Sequence, residues 1–522
     1  MRTVGERLVE GLAARGVRVV FGIPGVHTVE LYRGLSGSPI RHVTARHEQG
    51  CAFMADGYAR VSGQPGVAFV ITGPGLTNAL TAMAQSRQDS VPVLIISGVN
   101  RRNSLGRGLG LLHELPDQAA MIRTLCPTRQ ITEAADLGPV LDWAFDLLTN
   151  TRPGPVHIEV PTDVMPLPCA ALPDPAPRAP RLVPDLTAAA ARLNAAAKVV
   201  ILSGGGCRGQ EAALQALAER LDAPVVQTAN ARGMLHRHPL CVAVSPSLKS
   251  VRALIRSADQ VLSIGTEFGP TEYDMWVDGG FPDLPDQIRI DIDANQLARR
   301  PAGLTLQGDA GATMQALLPQ LTQHDAQGAD RALATTEAAR AELPDYSPAY
   351  PAMLAMVETI RSALPRAILV GDSTQPVYAA NLFYNHDRPG GFFNAATGFG
   401  ALGFGPGAAV GAALAAPGTK VVCLIGDGGL QFSPGELRTA VDERLPITFI
   451  VWNNAAFGEI AAAMRDANTE IIGCYPSPLR LEPFAAACDL PFTSIPQDPE
   501  VLHWALTQPV DGPRLIEVRV TL

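Results

Sequence analysis

The stretch VVCLIGDGGLQFSPGELRTAVDERLPITFIVWNN, residues 421–454, decides the fold. VVCLI (421–425) is a continuous apolar run that breaks at Gly426-Asp427-Gly428-Gly429. A helical pattern around PGELRTAVDER follows, and ITFIVW (447–452) is a second apolar run closed by Asn453-Asn454. Short apolar runs bounded by Gly and Asn read as buried strands, and strands alternating with helical patterns read as βαβ units in a parallel sheet. The residues between Gly428 and Asn453, 429 to 452, suffice for one right-handed crossover between neighbouring strands. Asp427 and Asn454 are therefore expected at the carboxyl ends of adjacent strands, where open α/β sheets bind ligands.

The residue types at those ends point to a chemistry. One carboxylate, one amide oxygen and the backbone carbonyl of Ala456 form an incomplete oxygen shell, the kind Mg²⁺ takes when phosphate and water complete it. Gly426, Gly428 and Gly429 let backbone N–H groups approach a diphosphate, and the following helix offers its N-terminus. An Asp-Gly turn or an Asn-Asn turn alone merely ends a strand; the two at this spacing favour a metal–diphosphate site.

Outward from this unit, RAILVGD and PRLIEVRV extend the same pattern in the last block. The first block repeats it with VRVVFGI (17–23), VAFVI (67–71) and VPVLIIS (91–97), and the middle block with KVVILSGGG, PVVQTA, QVLSIG and QIRIDID. Two Pro-rich stretches divide the blocks: 166–184, and a polar one at roughly 320–350, both read as irregular. The expected domains are 1–168, 184–322 and 348–522, each a mostly parallel sheet flanked by helices. A chain of 522 residues has room for about three domains.

Composition excludes several function classes. Apolar residues are 47% and charged ones 17%, enough for large cores. The 41 basic and 50 acidic residues leave a net charge of −9 without a long basic run, so a nucleic-acid platform is not expected and a small-molecule partner is. The eight cysteines form no C-x-x-C pair, which supports neither a zinc site nor a disulfide framework. Charges at Arg2, Glu6, Arg7 and Glu10 interrupt the start where a secretory peptide needs apolar residues, so a cytoplasmic location is expected. The uncharged run Ala395–Thr419 is long enough to span a bilayer, but it is Gly/Ala-rich and holds Pro406 and Pro417, so no membrane span is expected.

The motif GDG, about two dozen residues, then NN resembles that of the thiamine diphosphate-dependent 2-oxo acid enzymes, the superfamily of acetolactate synthase, pyruvate decarboxylase and benzoylformate decarboxylase. The resemblance runs along nearly the whole chain, in the order pyrimidine-binding, central Rossmann-like and diphosphate-binding domain. It implies that Asp427, Asn454 and the Ala456 carbonyl hold Mg²⁺, with Thr374, Gln375, Gly426, Gly428, Gly429, Phe457 and Gly458 around the diphosphate. Arg46-His47-Glu48-Gln49-Gly50, followed by MADGYAR (54–60), places Glu48 at the family's catalytic glutamate, which works against N1′ of the aminopyrimidine. Within the uncharged run, Gly398-Phe399-Gly400-Ala401-Leu402-Gly403 is formally a dinucleotide G-x-G-x-x-G. No clear strand leads into it and no acid follows at the ribose position; the resemblance instead makes Leu402 the apolar residue that bends the cofactor. The family's glutamate serves cofactor held by a second subunit, so a homodimer or homotetramer with active sites between subunits is implied.

Subfamily features narrow the reading. Val26 (in FGIPGVHT) and Ile71 stand where benzoylformate decarboxylase has serine and histidine. The double histidine of pyruvate decarboxylase is absent, although His113 in LLHELPDQ falls in the corresponding loop. Acetolactate synthases carry an Arg-containing segment where this chain reads GTEFGPTEYD (265–274), which makes FAD unlikely. Glu114 and Glu459 are further acids in loops that border substrate in relatives, and acids around an anionic 2-oxo acid suggest a cationic far end. The pattern most resembles 5-guanidino-2-oxopentanoate (2-ketoarginine) decarboxylases. The expected activity is non-oxidative decarboxylation to an aldehyde and CO₂, with Glu48 and His113 as catalytic residues and Val26, His27, Glu114 and Glu459 facing substrate. An acetolactate synthase-like carboligase and a non-catalytic cofactor-binding subunit are the alternatives.

Overall fold

The computed structural model describes residues 2–177 and 179–520; positions 1, 178, 521 and 522, including the outermost ends of the first and third blocks, lie outside the described residues. Three six-stranded sheets, all of whose pairings are parallel, carry the chain. The first contains β1 (Val19–Gly22), β2 (Arg41–Thr44), β3 (Gly66–Val70), β4 (Val93–Val99), β5 (Thr128–Gln130) and β6 (Pro155–Pro161), in the order β2-β1-β3-β4-β6-β5. The second contains β7 (Val199–Ser203), β8 (Val225–Gln227), β9 (Cys241–Val242), β10 (Gln260–Ile264), β11 (Ile288–Asp291) and β12 (Leu304–Gln307), in the order β12-β11-β10-β7-β8-β9. The third contains β13 (Ile368–Gly371), β14 (Phe392–Asn394), β15 (Val421–Gly426), β16 (Ile447–Asn453), β17 (Phe492–Pro496) and β18 (Arg514–Arg519), ordered β14-β13-β15-β16-β18-β17.

The first and third sheets thus share one topology, and the second has the doubly wound order with its switch between β7 and β10. Every residue of β4 and β6 is buried, as parallel strands covered on both faces require. β15 and β16 are parallel neighbours, with Gly426 opposite Trp452, so the expected crossover exists and sets Asp427 beside the end of β16.

Two readings differ from the structure. The 320–350 stretch, read as irregular, folds into helices Gly328–Ala341 and Leu343–Tyr346. Its alanines favour helix, and Ala332 and Ala339 are buried in one cluster with Val251, Leu254 and Ile255. A strand does lead into the uncharged run: β14, whose three residues are too few to show a period.

The uncharged run itself becomes helix Phe404–Ala415, and no helix among the described residues is long and apolar enough to cross a membrane. Its small residues allow close approach to helix Glu48–Ser62. A Cβ on Gly57 would lie 2.1 Å from the Ala408 carbonyl, and one on Gly411 would lie 2.0 Å from that of Met54. The run expected to pack against a cofactor therefore also welds the third block to the helix that begins with Glu48.

Candidate active site

The cradle forms where β13, β15 and β16 end. Asp427 opens a four-residue helical turn directly after β15, and its carboxylate is 5% exposed. Burial is the main cause that raises its pKa, and the Glu517 carboxylate adds to it. No side-chain ion pair to Asp427 exists among the described residues. Asn454 follows β16, and its Oδ1 accepts the Ala456 N–H at 3.1 Å across a turn in which Ala455 is left-handed at φ 52. Around them, a Cβ on Gly428 would lie 2.7 Å from the Phe457 ring, one on Gly426 3.1 Å from Thr374 Oγ1, and one on Gly458 2.9 Å from Asn454 Nδ2. Gln375 ties the set together: its Oε1 accepts from Trp452 Nε1 at 3.3 Å, and its Nε2 donates to Glu459 Oε1 at 2.8 Å.

Leu402, half-buried, precedes Gly403, whose φ of +81 starts helix Phe404–Ala415. Ser433 Oγ donates to the Gly403 carbonyl at 2.7 Å, and Asp372 Oδ2 accepts the Gly405 N–H at 2.8 Å. A Cβ on Gly429 would sit 3.1 Å from Asp372 Oδ1. Asp372 thus bridges the Leu402 segment and the cradle from within the core, where burial raises its pKa to about 6.

Glu48 is the first residue of helix Glu48–Ser62 and is half-buried in the chain itself. Its Oε2 accepts from Asn78 Nδ2 at 3.0 Å, and Gly75 leaves room beside it, an added Cβ there lying 3.5 Å from Oε1. No hydrogen bond joins Glu48 to the cradle residues among the described residues.

Two histidines converge from different loops. The rings of His27 and His113 meet edge to face with centroids 5.3 Å apart. Nδ1 of each is buried without a hydrogen-bond partner in the chain. His113 holds a left-handed φ of 61, which a non-glycine residue adopts only where its surroundings enforce it. Desolvation and the facing His113 ring lower the pKa of His27. Val26, beside this pair, is 69% exposed. Glu114 turns to its own loop, accepting the N–H groups of Leu109 at 3.1 Å and Leu111 at 2.9 Å, and these backbone donors lower its pKa. Glu459 is exposed at the start of helix Gly458–Asp466.

Sequence profiles of the thiamine pyrophosphate enzymes match in the order of the three sheets. The N-terminal TPP binding domain covers residues 2–121, the central domain 186–317 and the C-terminal TPP binding domain 372–518. The chain belongs to the thiamine pyrophosphate enzymes. Within that family, it is 42% identical over 488 residues to the "Probable 2-ketoarginine decarboxylase AruI" of Pseudomonas aeruginosa, covering 91% of this chain and 86% of the relative. It is 30% identical over 544 residues to the acetolactate synthase isozyme 1 large subunit of Escherichia coli, covering 99% and 94%. An X-ray structure of "a putative thiamin diphosphate-dependent enzyme" from Mycobacterium smegmatis superposes over the whole of both chains with a TM-score of 0.81 at 22% identity, a likeness of fold.

The residues present fit the family's cofactor at both ends. Asp427 is a buried carboxylate with no ion-pair partner among the described residues, flanked by glycines at which an added Cβ would crowd Thr374, Phe457 or Asp372. Glu48 offers a carboxyl held by one neutral amide. Three acids of the 265–274 segment, in contrast, are already engaged. Glu267 pairs with Arg152 and Asp274 with Arg252, while Glu272 is half-buried and accepts the Ala229 N–H at 2.8 Å. Asn78 and Asp372 carry no local sequence signal, and only contacts across the fold reveal them.

Proposed function

We propose that this thiamine pyrophosphate enzyme catalyses Mg²⁺-dependent, non-oxidative decarboxylation of a 2-oxo acid with a cationic tail, 5-guanidino-2-oxopentanoate, to the aldehyde and CO₂. The observation that carries the reading is the His27–His113 pair. Once CO₂ departs, an aldehyde forms only if the carbon that bore it receives a proton, whereas a carboligase must keep protons away from that carbon until a second substrate bonds to it. Two imidazoles with buried, unpartnered nitrogens beside the Glu48 loops suit the first task. The likeness to a relative named for 2-ketoarginine supports the choice of substrate.

When bound, thiamine diphosphate would supply a thiazolium that accepts the electron pair left by CO₂. Thr374, Gln375, Gly426, Gly428, Gly429, Phe457 and Gly458 would hold its diphosphate, and Asp427, Asn454 and the Ala456 carbonyl its Mg²⁺. Leu402 would set its bend. Glu48, its carboxyl kept in place by Asn78, would exchange a proton with the aminopyrimidine N1′. His113 would orient the substrate carboxylate and, with His27, return a proton from a ring nitrogen. Val26 would leave space for the substrate, and Glu459 would face its guanidinium, with Glu114 keeping the His113 loop in shape. The reaction needs no flavin. We place it in a homodimer or homotetramer whose subunits complete each other's sites, in the cytoplasm, with domains at 1–168, 184–322 and 348–522.

A panel of 2-oxo acids incubated with protein, thiamine diphosphate and Mg²⁺ tests the reading. Aldehyde and CO₂ from 5-guanidino-2-oxopentanoate, with pyruvate inert, are expected; acetolactate from pyruvate overturns it. Glu48→Gln is expected to abolish turnover and retain cofactor binding, and binding without turnover in the native protein would instead mark a non-catalytic subunit.

A further inference from the structure

Behind the two histidines lies a buried polar network that the reaction itself does not use. Gln118 begins helix Gln118–Arg123, five positions after His113, and is 3% exposed. Its Oε1 accepts the Gly73 N–H at 3.0 Å. Its Nε2 lies 2.9 Å from Glu159 Oε2, 3.0 Å from the Gly98 carbonyl and 3.2 Å from Ser97 Oγ. Both glycines abut the histidine-bearing backbones. A Cβ on Gly73, whose φ is +64, would lie 2.5 Å from the His113 carbonyl; one on Gly98 would lie 2.9 Å from that of His27.

We propose that Gln118 is the positioning residue that holds His27 and His113 in register, acting through Gly73 and Gly98. This rests on the reading that the two histidines serve the decarboxylation. The left-handed backbone at His113 needs enforcement, and the Gly73 turn pressed against its carbonyl supplies it. Glutamine alone suits the position: one end must accept an N–H while the other donates to a carboxylate and a carbonyl at once. A glutamate there would set a second carboxyl against Glu159, and a methionine would leave the Gly73 N–H and Glu159 Oε2 without their partner.

That requirement makes the isostere a sharp probe. The groups facing position 118 are Glu159 on β6, Ser97 on β4 and, behind Ser97, His157, whose Nε2 is 2.8 Å from the serine hydroxyl. Asp117 and Arg123 of its own helix and the two histidine loops complete the surroundings. His157 is held neutral by burial, and Gln130 Nε2 donates to the other Glu159 oxygen at 2.8 Å. In Gln118→Glu, a proton shared between the two carboxyls restores the missing donor, and its loss at higher pH leaves like charges in contact.

The experiment measures kcat and KM from pH 6 to 8 for wild type, Gln118→Glu and Gln118→Met, using the 2-oxo acid that wild type turns over best. Exchange of the cofactor C2 hydrogen is measured alongside. Gln118→Glu is expected to lose at least tenfold in kcat at pH 8 and under threefold at pH 6, whereas Gln118→Met loses tenfold at both. C2 exchange should stay within about threefold, because Glu48 is untouched. Histidine hydrogen exchange followed by mass spectrometry provides a second readout free of turnover: His27 and His113 shift in both variants while His47 and His238 do not. Wild-type kcat and pH profile in Gln118→Glu, or unmoved His27 and His113, overturn the proposal. If wild type decarboxylates no 2-oxo acid, the functional reading falls and the histidine exchange alone decides the role of Gln118.

Discussion

The carboxylate of Glu436 accepts the backbone N–H of His47 at 3.1 Å, so the helix that starts with Glu48 is capped from the C-terminal block of the same chain. The Arg46 N–H joins at 3.1 Å and Thr439 Oγ1 at 2.8 Å, and Glu436 is 1% exposed. A Cβ on Gly50 would fall 2.0 Å from Glu436 Oε1. The cap belongs to helix Glu436–Asp442, a few residues beyond the Gly428-Gly429 cradle, so the Glu48 helix and the cradle of one chain are mechanically joined even though Glu48 and Asp427 share no hydrogen bond among the described residues.

Removing that cap should therefore cost both stability and turnover. Glu436→Ala leaves two N–H groups without their acceptor, a loss of about 1–3 kcal/mol, read as a lower urea midpoint. Turnover should fall further than the unfolded fraction accounts for, because the Glu48 helix loses its anchor. Glu436→Gln, which keeps one acceptor, should lie between. An unchanged midpoint in Glu436→Ala would show that the cap carries no energy.

The contrast between Asp427 and Glu436 shows where sequence reading reaches and where it stops. Asp427 and Asn454 belong to one βαβ unit, so local spacing alone sets them on neighbouring strand ends, and the three parallel sheets follow from the same periodicity. Glu436, Asn78, Asp372 and Gln118 look like ordinary helix or turn residues, since their partners lie on other elements. The acids Glu267, Glu272 and Asp274 of the 265–274 segment show the same limit. Nothing local separates a pocket acid from one whose arginine, here Arg152 or Arg252, arrives from a distant segment. Helix Gly328–Ala341 was obscured by the polar, Pro-punctuated sequence around it.

Gly428 is expected to be intolerant of a side chain for a reason confined to the cradle. The Phe457 ring occupies the space of its absent Cβ, so Gly428→Ala must push the ring aside. Overpacking of this kind costs about 1–3 kcal/mol, roughly a 5- to 150-fold rise in the Kd for thiamine diphosphate if the ring helps hold it. The urea midpoint of the cofactor-free protein should change little, because the half-buried ring can swing outward. Isothermal titration of both proteins with thiamine diphosphate and Mg²⁺ checks this, and unchanged affinity removes Phe457 from the site.

His157 sets an acid limit on stability. Burial lowers its pKa to about 3, and it sits between Ser97 and Thr128 as a neutral ring. Unfolding returns it to a pKa near 6.5, so its contribution is full above that pH and is lost as pH falls toward 3, by about 1.4 kcal/mol per unit. His386, lowered to about 4 by burial, acts in the same direction. Asp372, raised to about 6 by burial, acts in the opposite direction, so the difference between variants is the readout: between pH 7.5 and 5 the urea midpoint of His157→Gln, though lower at neutral pH, should lose less than that of wild type, by the equivalent of one proton. Parallel slopes would place the acid sensitivity elsewhere.

Glu459 is expected to separate a substrate with a cationic tail from one without. Its carboxylate is anchored by Gln375 Nε2 and exposed, so its effect on a guanidinium is a solvent-screened attraction of about 1 kcal/mol or less, up to roughly fivefold in KM. Glu459→Gln should raise KM for 5-guanidino-2-oxopentanoate by that factor with kcat nearly unchanged, and Glu459→Lys should raise it further by adding repulsion. For an uncharged 2-oxo acid of similar length, neither substitution should raise KM, and the lysine should lower it through attraction for the carboxylate. Added salt should shrink these differences, because the interaction is electrostatic. Equal KM changes for charged and uncharged substrates would instead assign Glu459 to holding Gln375 over the cradle, leaving the guanidinium to be recognised elsewhere.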